Sequence, residues 1–117
     1  MLQLDSDMRL WALDARVADA SLLTDGPRLR AILLDAAREG GATVVGEEFC
    51  TFPNGAVTGV LVLAQSHLSI HTWPERGLAN VDLLSCGGVA GEAVVRAIER
   101  RLGAEKVNLT CVLRSPW

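Results

Sequence analysis

The sequence predicts an α+β fold, a two-layer sandwich in which a largely antiparallel sheet carries two helices packed on one face. Six short segments alternate apolar and polar residues as strands do, and two longer segments repeat apolar residues at helical spacing. Their order is strand, helix, four strands, helix, strand, which is two β-α-β units joined by central strands. With 117 residues, half of them apolar, the chain is predicted to form a single domain, 1–117.

The first half of the chain is predicted to contain a strand, a helix and a hairpin. Residues 9–16 alternate as a short strand. Asp-Gly-Pro at 25–27 is typical of a helix start, and two glycines at 40–41 end the apolar stripe that follows. Residues 42–49 begin with β-branched side chains and predict a strand, and a Pro-Asn-Gly turn separates them from the most apolar strand, 56–64.

The second half repeats the pattern. Residues 66–72 alternate, which predicts a strand with Ser66 on the face of Leu68 and Ile70 and both histidines on the other face. Further strands are predicted at 78–85 and 106–113, and the helix between them runs over about 90–102 and ends at a glycine.

Composition argues against several classes of partner. The net charge is −3 and no basic patch occurs, so neither nucleic acid nor an anionic membrane is an expected partner. The longest apolar run, 57–64, is far shorter than the roughly 20 residues of a membrane span. The polar N-terminus carries acidic residues where a signal peptide carries positive charge, so we expect a cytoplasmic protein, with Met8 an alternative start.

Cysteine usage agrees with a reducing compartment. Cys50, Cys86 and Cys111 are odd in number and widely spaced, so no disulfide framework is expected. Cys50, His67, His71 and Cys86 are suitable ligand types for zinc. Metal motifs usually bring ligands in close pairs, and here only the two histidines are close, so we favour no metal.

The segment 65–75, QSHLSIHTWPE, contains chemistry that a strand does not need. A serine hydrolase is one interpretation, but Ser66 lacks the flanking glycines of a nucleophile turn. Glu75, Asp82 and Asp14 are the carboxylates available to orient a histidine, and the sequence does not place them. No glycine-rich phosphate loop is present, because Gly87-Gly88 is not followed by Lys-Ser/Thr.

Together with FPNGAVTGVLVLA at 52–64 and ANVDLLSCG at 79–87, this segment resembles the prokaryotic S-adenosylmethionine decarboxylase family, small pyruvoyl enzymes of polyamine synthesis. Decarboxylation of an α-amino acid needs an electron sink on the substrate amine. The chain has a single lysine, Lys106, and no phosphate cradle for pyridoxal phosphate. The resemblance implies that the sink is a pyruvoyl group made from the chain itself, with no pyridoxal phosphate and no metal.

The resemblance implies self-cleavage between Gln65 and Ser66, giving fragments 1–65 and 66–117. Ser66 becomes the pyruvoyl group that forms a Schiff base with the substrate. His71 matches the histidine of processing, and Thr58 matches a serine that assists it. Cys86 matches the proton donor that quenches the carbanion, although inert packing is the ordinary role of such a cysteine.

Phe52 matches an aromatic residue that stacks on the substrate adenine, and Glu75 an acidic residue near the ribose. The family usually has Glu where this chain has Gln65, often His at Cys50, and an aromatic residue at Leu78. Three functions stay open: an S-adenosylmethionine decarboxylase supplying spermidine synthesis, a pyruvoyl-dependent arginine or ornithine decarboxylase, and an unprocessed, non-catalytic binding or assembly partner. The resemblance also implies a homo-oligomer of cleaved protomers.

Overall fold

A computed structural model describes residues 8–114, which form one six-stranded antiparallel sheet in the order β2-β3-β4-β5-β1-β6. The strands are β1 (Arg9–Arg16), β2 (Val44–Thr51), β3 (Val57–Leu63), β4 (His67–Trp73), β5 (Leu78–Ser85) and β6 (Lys106–Leu113), and the α-helices are α1 (Ala20–Leu23), α2 (Gly26–Glu39) and α3 (Gly91–Leu102). A short 3-10 helix, Pro74–Arg76, connects β4 to β5.

One face of the sheet is covered by the helices, and the core lies between the two layers. Alternate strand residues such as Leu13, Leu61, Ile70 and Leu83 are almost completely buried there. The helices α2 and α3 bury one stripe each against this face, as their amphipathic sequences predict. The side chain of Asp25 caps α2 by accepting a hydrogen bond from the Arg28 amide at 3.1 Å.

The predicted α+β sandwich is confirmed: the sheet is antiparallel, and the six predicted strands and both predicted helices follow one another along the chain in the predicted order. The one-turn helix α1 was not predicted. It is tied to the sheet by the buried hydroxyl of Thr72, which donates to the Leu23 carbonyl at 2.7 Å and accepts from the Val57 amide at 2.9 Å. Such a long-range contact leaves no periodic signal in a four-residue segment.

Several strand boundaries differ from the prediction by one or two residues. Strand β2 begins later than expected, at Val44, and contains an irregularity between Val44 and Gly46. Ser66 lies in the connection between β3 and β4, one residue before β4 begins, whereas the predicted strand included it; its hydroxyl is buried, like the side chains of Leu68 and Ile70. The polar N-terminal residues 1–7 lie outside the described part of the chain. Within residues 8–114, no helix is long and apolar enough to cross a membrane.

The second face of the sheet, which we call the open face, is covered by none of the helices of residues 8–114 and presents two contrasting rows of side chains. Strand register aligns a polar row across all six strands: Cys50, Thr58, His71, Asn80, Asp14 and Asn108. Four residues along the strands, a mainly apolar row crosses five of them: Val62, His67, Leu84, Leu10 and Val112. The open face therefore has a polar end and an apolar end.

Candidate functional site

The polar row centres on the imidazole of His71. Its Nδ1 lies 2.6 Å from the Thr58 hydroxyl, which the antiparallel register places directly opposite. The ring centroid of Trp73, two residues along the same strand face, lies 4.5 Å from that of His71, with the rings edge to face at 65°. The ring of Phe52 approaches from the loop after β2, at 6.2 Å. His71 is thus held by one hydrogen bond and two aromatic rings.

The hydrogen bond between Thr58 and His71 couples the protonation of the two ring nitrogens. If Nδ1 carries the proton and donates to Thr58, the lone pair of Nε2 is free to accept a proton. In the other tautomer, Thr58 donates to Nδ1 and Nε2 carries the hydrogen. The pair can therefore move a proton at Nε2 in either direction.

A second chain of hydrogen bonds continues along the polar row. The indole N–H of Trp73 donates to Asn80 Oδ1 at 2.6 Å. The amide of Asn80 in turn donates from Nδ2 to Asp14 Oδ1 at 2.8 Å. The side chains from Thr58 to Asp14 therefore form one continuous set of contacts across β3, β4, β5 and β1.

Gln65, Ser66 and Cys86 form a separate group at the apolar end of the sheet. The Ser66 carbonyl accepts a hydrogen bond from the Leu63 amide at 2.8 Å, which closes the short connection 64–66 between β3 and β4. Within residues 8–114, the Ser66 hydroxyl is the only buried side-chain N or O atom without a hydrogen-bond partner. The Cys86 thiol, just after β5, donates to the Gln65 carbonyl over a sulfur–oxygen distance of 4.0 Å.

The two groups are not in contact. His67 and His71 lie on one strand, four residues apart, so their Cα atoms are about 13 Å apart, and Ser66 is one residue further. A group that takes a proton must come within about 3 Å of it or act through a water. His71 of one chain therefore does not reach Ser66 of the same chain.

The remaining predicted residues lie apart from these groups. Glu75 is exposed in the 3-10 helix that follows β4, at the polar end of the sheet. Among the residues that the structure describes, no three His, Cys, Asp or Glu side chains are placed to hold a metal ion, so the four residues considered for zinc do not form a cluster.

Comparison with known proteins places this arrangement in a family. The sequence matches the S-adenosylmethionine decarboxylase family over residues 9–115. An S-adenosylmethionine decarboxylase proenzyme of Methanococcus maripaludis is 36% identical over 108 residues, which is 92% of this chain and 84% of that protein. The chain belongs to the S-adenosylmethionine decarboxylase family.

Other similar proteins carry the same description. A decarboxylase proenzyme of Symbiobacterium thermophilum is 48% identical over 82 residues, and one of Pseudomonas aeruginosa is 45% identical over 75 residues. These matches span 70% and 63% of this chain, but only 62% and 47% of the length of those relatives. The crystal structure of the adenosylmethionine decarboxylase from Aquifex aeolicus superposes with a TM-score of 0.81 at 31% identity, covering 92% of this chain and 89% of that one.

For a member of this decarboxylase family, sequence analysis missed the contacts among three residues in and beside the polar row, and it had considered Asp14 only as a carboxylate to orient a histidine. Trp73, Asn80 and Asp14 had no predicted role together, although the strand alternation places Trp73 on the same face as His71. A tryptophan two residues after a histidine in a strand was the available signal. The contacts to Asn80 and Asp14 depend on pairing between strands distant in sequence, which alternation does not reveal.

Proposed function

We propose that the chain is a cytoplasmic, self-processing, pyruvoyl-dependent S-adenosylmethionine decarboxylase that supplies aminopropyl groups for spermidine synthesis. The observation that carries the proposal is the buried, unpartnered hydroxyl of Ser66 beside the Gln65–Ser66 peptide bond. A buried hydroxyl without a partner is costly, so such a group is expected to have a reactive role. The names of the relatives favour S-adenosylmethionine over arginine or ornithine as the substrate.

Cleavage begins when Ser66 Oγ attacks the carbonyl carbon of Gln65. A bond forms from Oγ to that carbon, the peptide C–N bond breaks, and the hydroxyl proton passes to the nitrogen, which leaves an ester. Negative charge develops on the Gln65 carbonyl oxygen during the attack, and the Cys86 thiol is placed to donate a hydrogen bond to that atom.

The ester is then resolved by elimination. A base removes the α-proton of residue 66, the Cβ–O bond breaks, and Gln65 leaves with a C-terminal carboxylate. Water adds to the remaining dehydroalanine and ammonia departs, which leaves a pyruvoyl group at the start of fragment 66–117 and a free fragment 1–65. The paired imidazole of His71 is suited to this proton transfer, with Thr58 fixing its tautomer.

The residues around Ser66 fit a pyruvoyl group, since the hydroxyl is enclosed and Cys86 lies within the same group. When formed, that group supplies the electron sink that decarboxylation of an α-amino acid requires. Cys86 then serves as the proton donor to the substrate carbon. Phe52, whose side chain is 44% exposed, offers a ring surface for the adenine, and exposed Glu75 a carboxylate for the ribose.

We infer that a second copy of the chain completes each site. Ser66 directly precedes β4 and His71 lies toward the other end of that strand, and a two-fold axis parallel to the sheet and perpendicular to its strands would place the polar row of one copy over the apolar row of the other. That axis brings Ser66 of each copy toward His71 of its partner. The large apolar side chains on this face support the pairing, since Val62 and Val112 are each 47% exposed.

Intact-mass measurement of the denatured protein tests the proposal without assuming a substrate. We expect two fragments, 1–65 and 66–117, with the second carrying a pyruvoyl group at its start, and a single uncleaved chain for Ser66→Ala. Release of carbon dioxide is then measured with S-adenosylmethionine, arginine and ornithine, and we expect turnover of the first. An intact wild-type chain without turnover would instead support a non-catalytic relative.

A further inference from the structure

A hydrogen-bond chain that the cleavage chemistry described above does not use runs from Trp73 into the polar row, to Asn80 and then to Asp14. The direction of each bond is fixed by the ends of the chain. An indole N–H only donates and a carboxylate only accepts, so the amide between them must turn Oδ1 toward Trp73 and Nδ2 toward Asp14. A side-chain amide provides both groups at once, which explains asparagine at position 80.

The consequence for His71 follows from ring geometry. Trp73 meets the imidazole edge to face, with ring centroids 4.5 Å apart, so the plane of the indole limits the rotation of the imidazole. The indole plane is itself fixed by the 2.6 Å bond to Asn80 on one side. The guanidinium of Arg76 lies 5.5 Å from the centroid of the same ring.

We propose that Asn80 and Asp14 are positioning residues for self-cleavage: they fix Trp73, and Trp73 holds His71 in the orientation in which Nδ1 bonds Thr58 and Nε2 points outward. The effect on the reaction rests on the proposed function, whereas the effect on the imidazole does not. Neither residue touches the scissile bond, since both lie on strands β5 and β1 in the polar row.

The substitution Asn80→Asp tests the hydrogen-bond chain, because the two side chains have almost the same shape. An aspartate still accepts from Trp73, but it presents a second carboxylate to Asp14 where a donor is required. Adding Asp14→Asn exchanges the two groups: the amide at position 14 then donates to the carboxylate at position 80, so the second hydrogen bond is restored in the opposite direction and the bond from Trp73 is unchanged. Asn108→Asp is the matched control. Asn108 pairs with Asp14 on the side away from Asn80, so this substitution adds the same charge beside Asp14 without interrupting the hydrogen-bond chain.

Cleavage is followed over time after cell-free synthesis, as the appearance of fragments 1–65 and 66–117. We expect Asn80→Asp to slow cleavage about tenfold, the size of one lost hydrogen bond. The exchanged pair and Asn108→Asp should stay within about twofold of wild type. Equal slowing in Asn80→Asp and Asn108→Asp would show a charge effect, and failure of the exchanged pair to recover would also overturn the proposal.

The orientation of His71 is measured separately, by ¹⁵N NMR of the ring nitrogens in a Ser66→Ala background that is not expected to be cleaved. We expect one tautomer with Asn80, a mixture or broadening with Asn80→Asp, and recovery in the exchanged pair. Unchanged His71 signals in Asn80→Asp would refute the positioning role. If the wild-type chain is never cleaved, the proposed function fails, and the His71 spectra still decide whether the chain of hydrogen bonds positions the imidazole.

Discussion

Mixed dimers provide the sharpest prediction, because the two halves of the site lie too far apart within one chain. Ser66 lies five residues from His71, about 16 Å along the strand direction, whereas proton transfer requires about 3 Å or one bridging water. Ser66→Ala and His71→Ala chains, expressed separately, should therefore both remain uncleaved. In a mixed dimer, the His71→Ala chain retains its own Ser66 and meets an intact His71 on its partner.

The assay uses two different affinity tags, so that tandem purification leaves only mixed dimers. Denaturing mass spectrometry should find nearly all His71→Ala chains cleaved and every Ser66→Ala chain intact. About half of all chains in the purified mixed dimers should therefore be cleaved. Homodimers of His71→Ala should be cleaved at least about a hundredfold more slowly than wild type, which is the usual contribution of a general acid or base, and homodimers of Ser66→Ala should not be cleaved.

His67→Ala is the matched control for loss of an imidazole, since His67 is an exposed histidine on the same strand that lies in the apolar row and has no proposed part in proton transfer. Alone, it should be cleaved like wild type. If purified mixed dimers contain no cleaved chain, the site does not draw His71 from a partner and the proposed pairing of open faces is wrong. Cleavage of the His71→Ala variant alone would remove His71 from the chemistry.

Two further predictions concern the scaffold. Gly59→Ala should lower the melting temperature by several degrees, because a Cβ at this position meets the ring of Phe49 and overpacking costs about 1–3 kcal/mol. Gly46→Ala is the control, since the nearest atom to a Cβ there is 3.6 Å away, and its melting temperature should be close to that of wild type. Equal melting temperatures for the two variants would contradict this packing argument. The hydrogen bond from Arg101 holds the pKa of Glu39 below its ordinary value, so this carboxylate stabilises the fold at neutral pH and loses the effect as the pH falls through its folded-state pKa. The melting temperature of Glu39→Gln should be lower than that of wild type at neutral pH and equal to it in strong acid. A difference in melting temperature that stays constant with pH would refute this role of Glu39.

Local pattern was sufficient for the scaffold. The strand of residues 9–16 was predicted with its observed bounds. An antiparallel strand with one covered face alternates apolar and polar residues, and this alternation is visible in the sequence. The start of α2 was equally visible, since Asp25 and Pro27 act through neighbouring backbone groups. The short helix α1 was missed because Thr72, 49 residues away from Leu23, ties it to the sheet.

For the site, the sequence by itself supplied the chemical groups. The serine, the histidine and the cysteine at positions 66, 71 and 86 were identified from their residue types and from the family resemblance, and the family is confirmed. Their proposed roles remain predictions. Tertiary structure decided which groups meet: Thr58 with His71, and Cys86 with Gln65.

The reason lies in strand pairing. Alternation assigns each side chain to a face, but the position of one strand against the next is a long-range property, and it alone placed Asn80 and Asp14 beside Trp73. The same register separated Ser66 from His71 by the length of a strand. Residues that are neighbours in the sequence motif therefore lie at opposite ends of strand β4, and the proposed second copy rests on this separation.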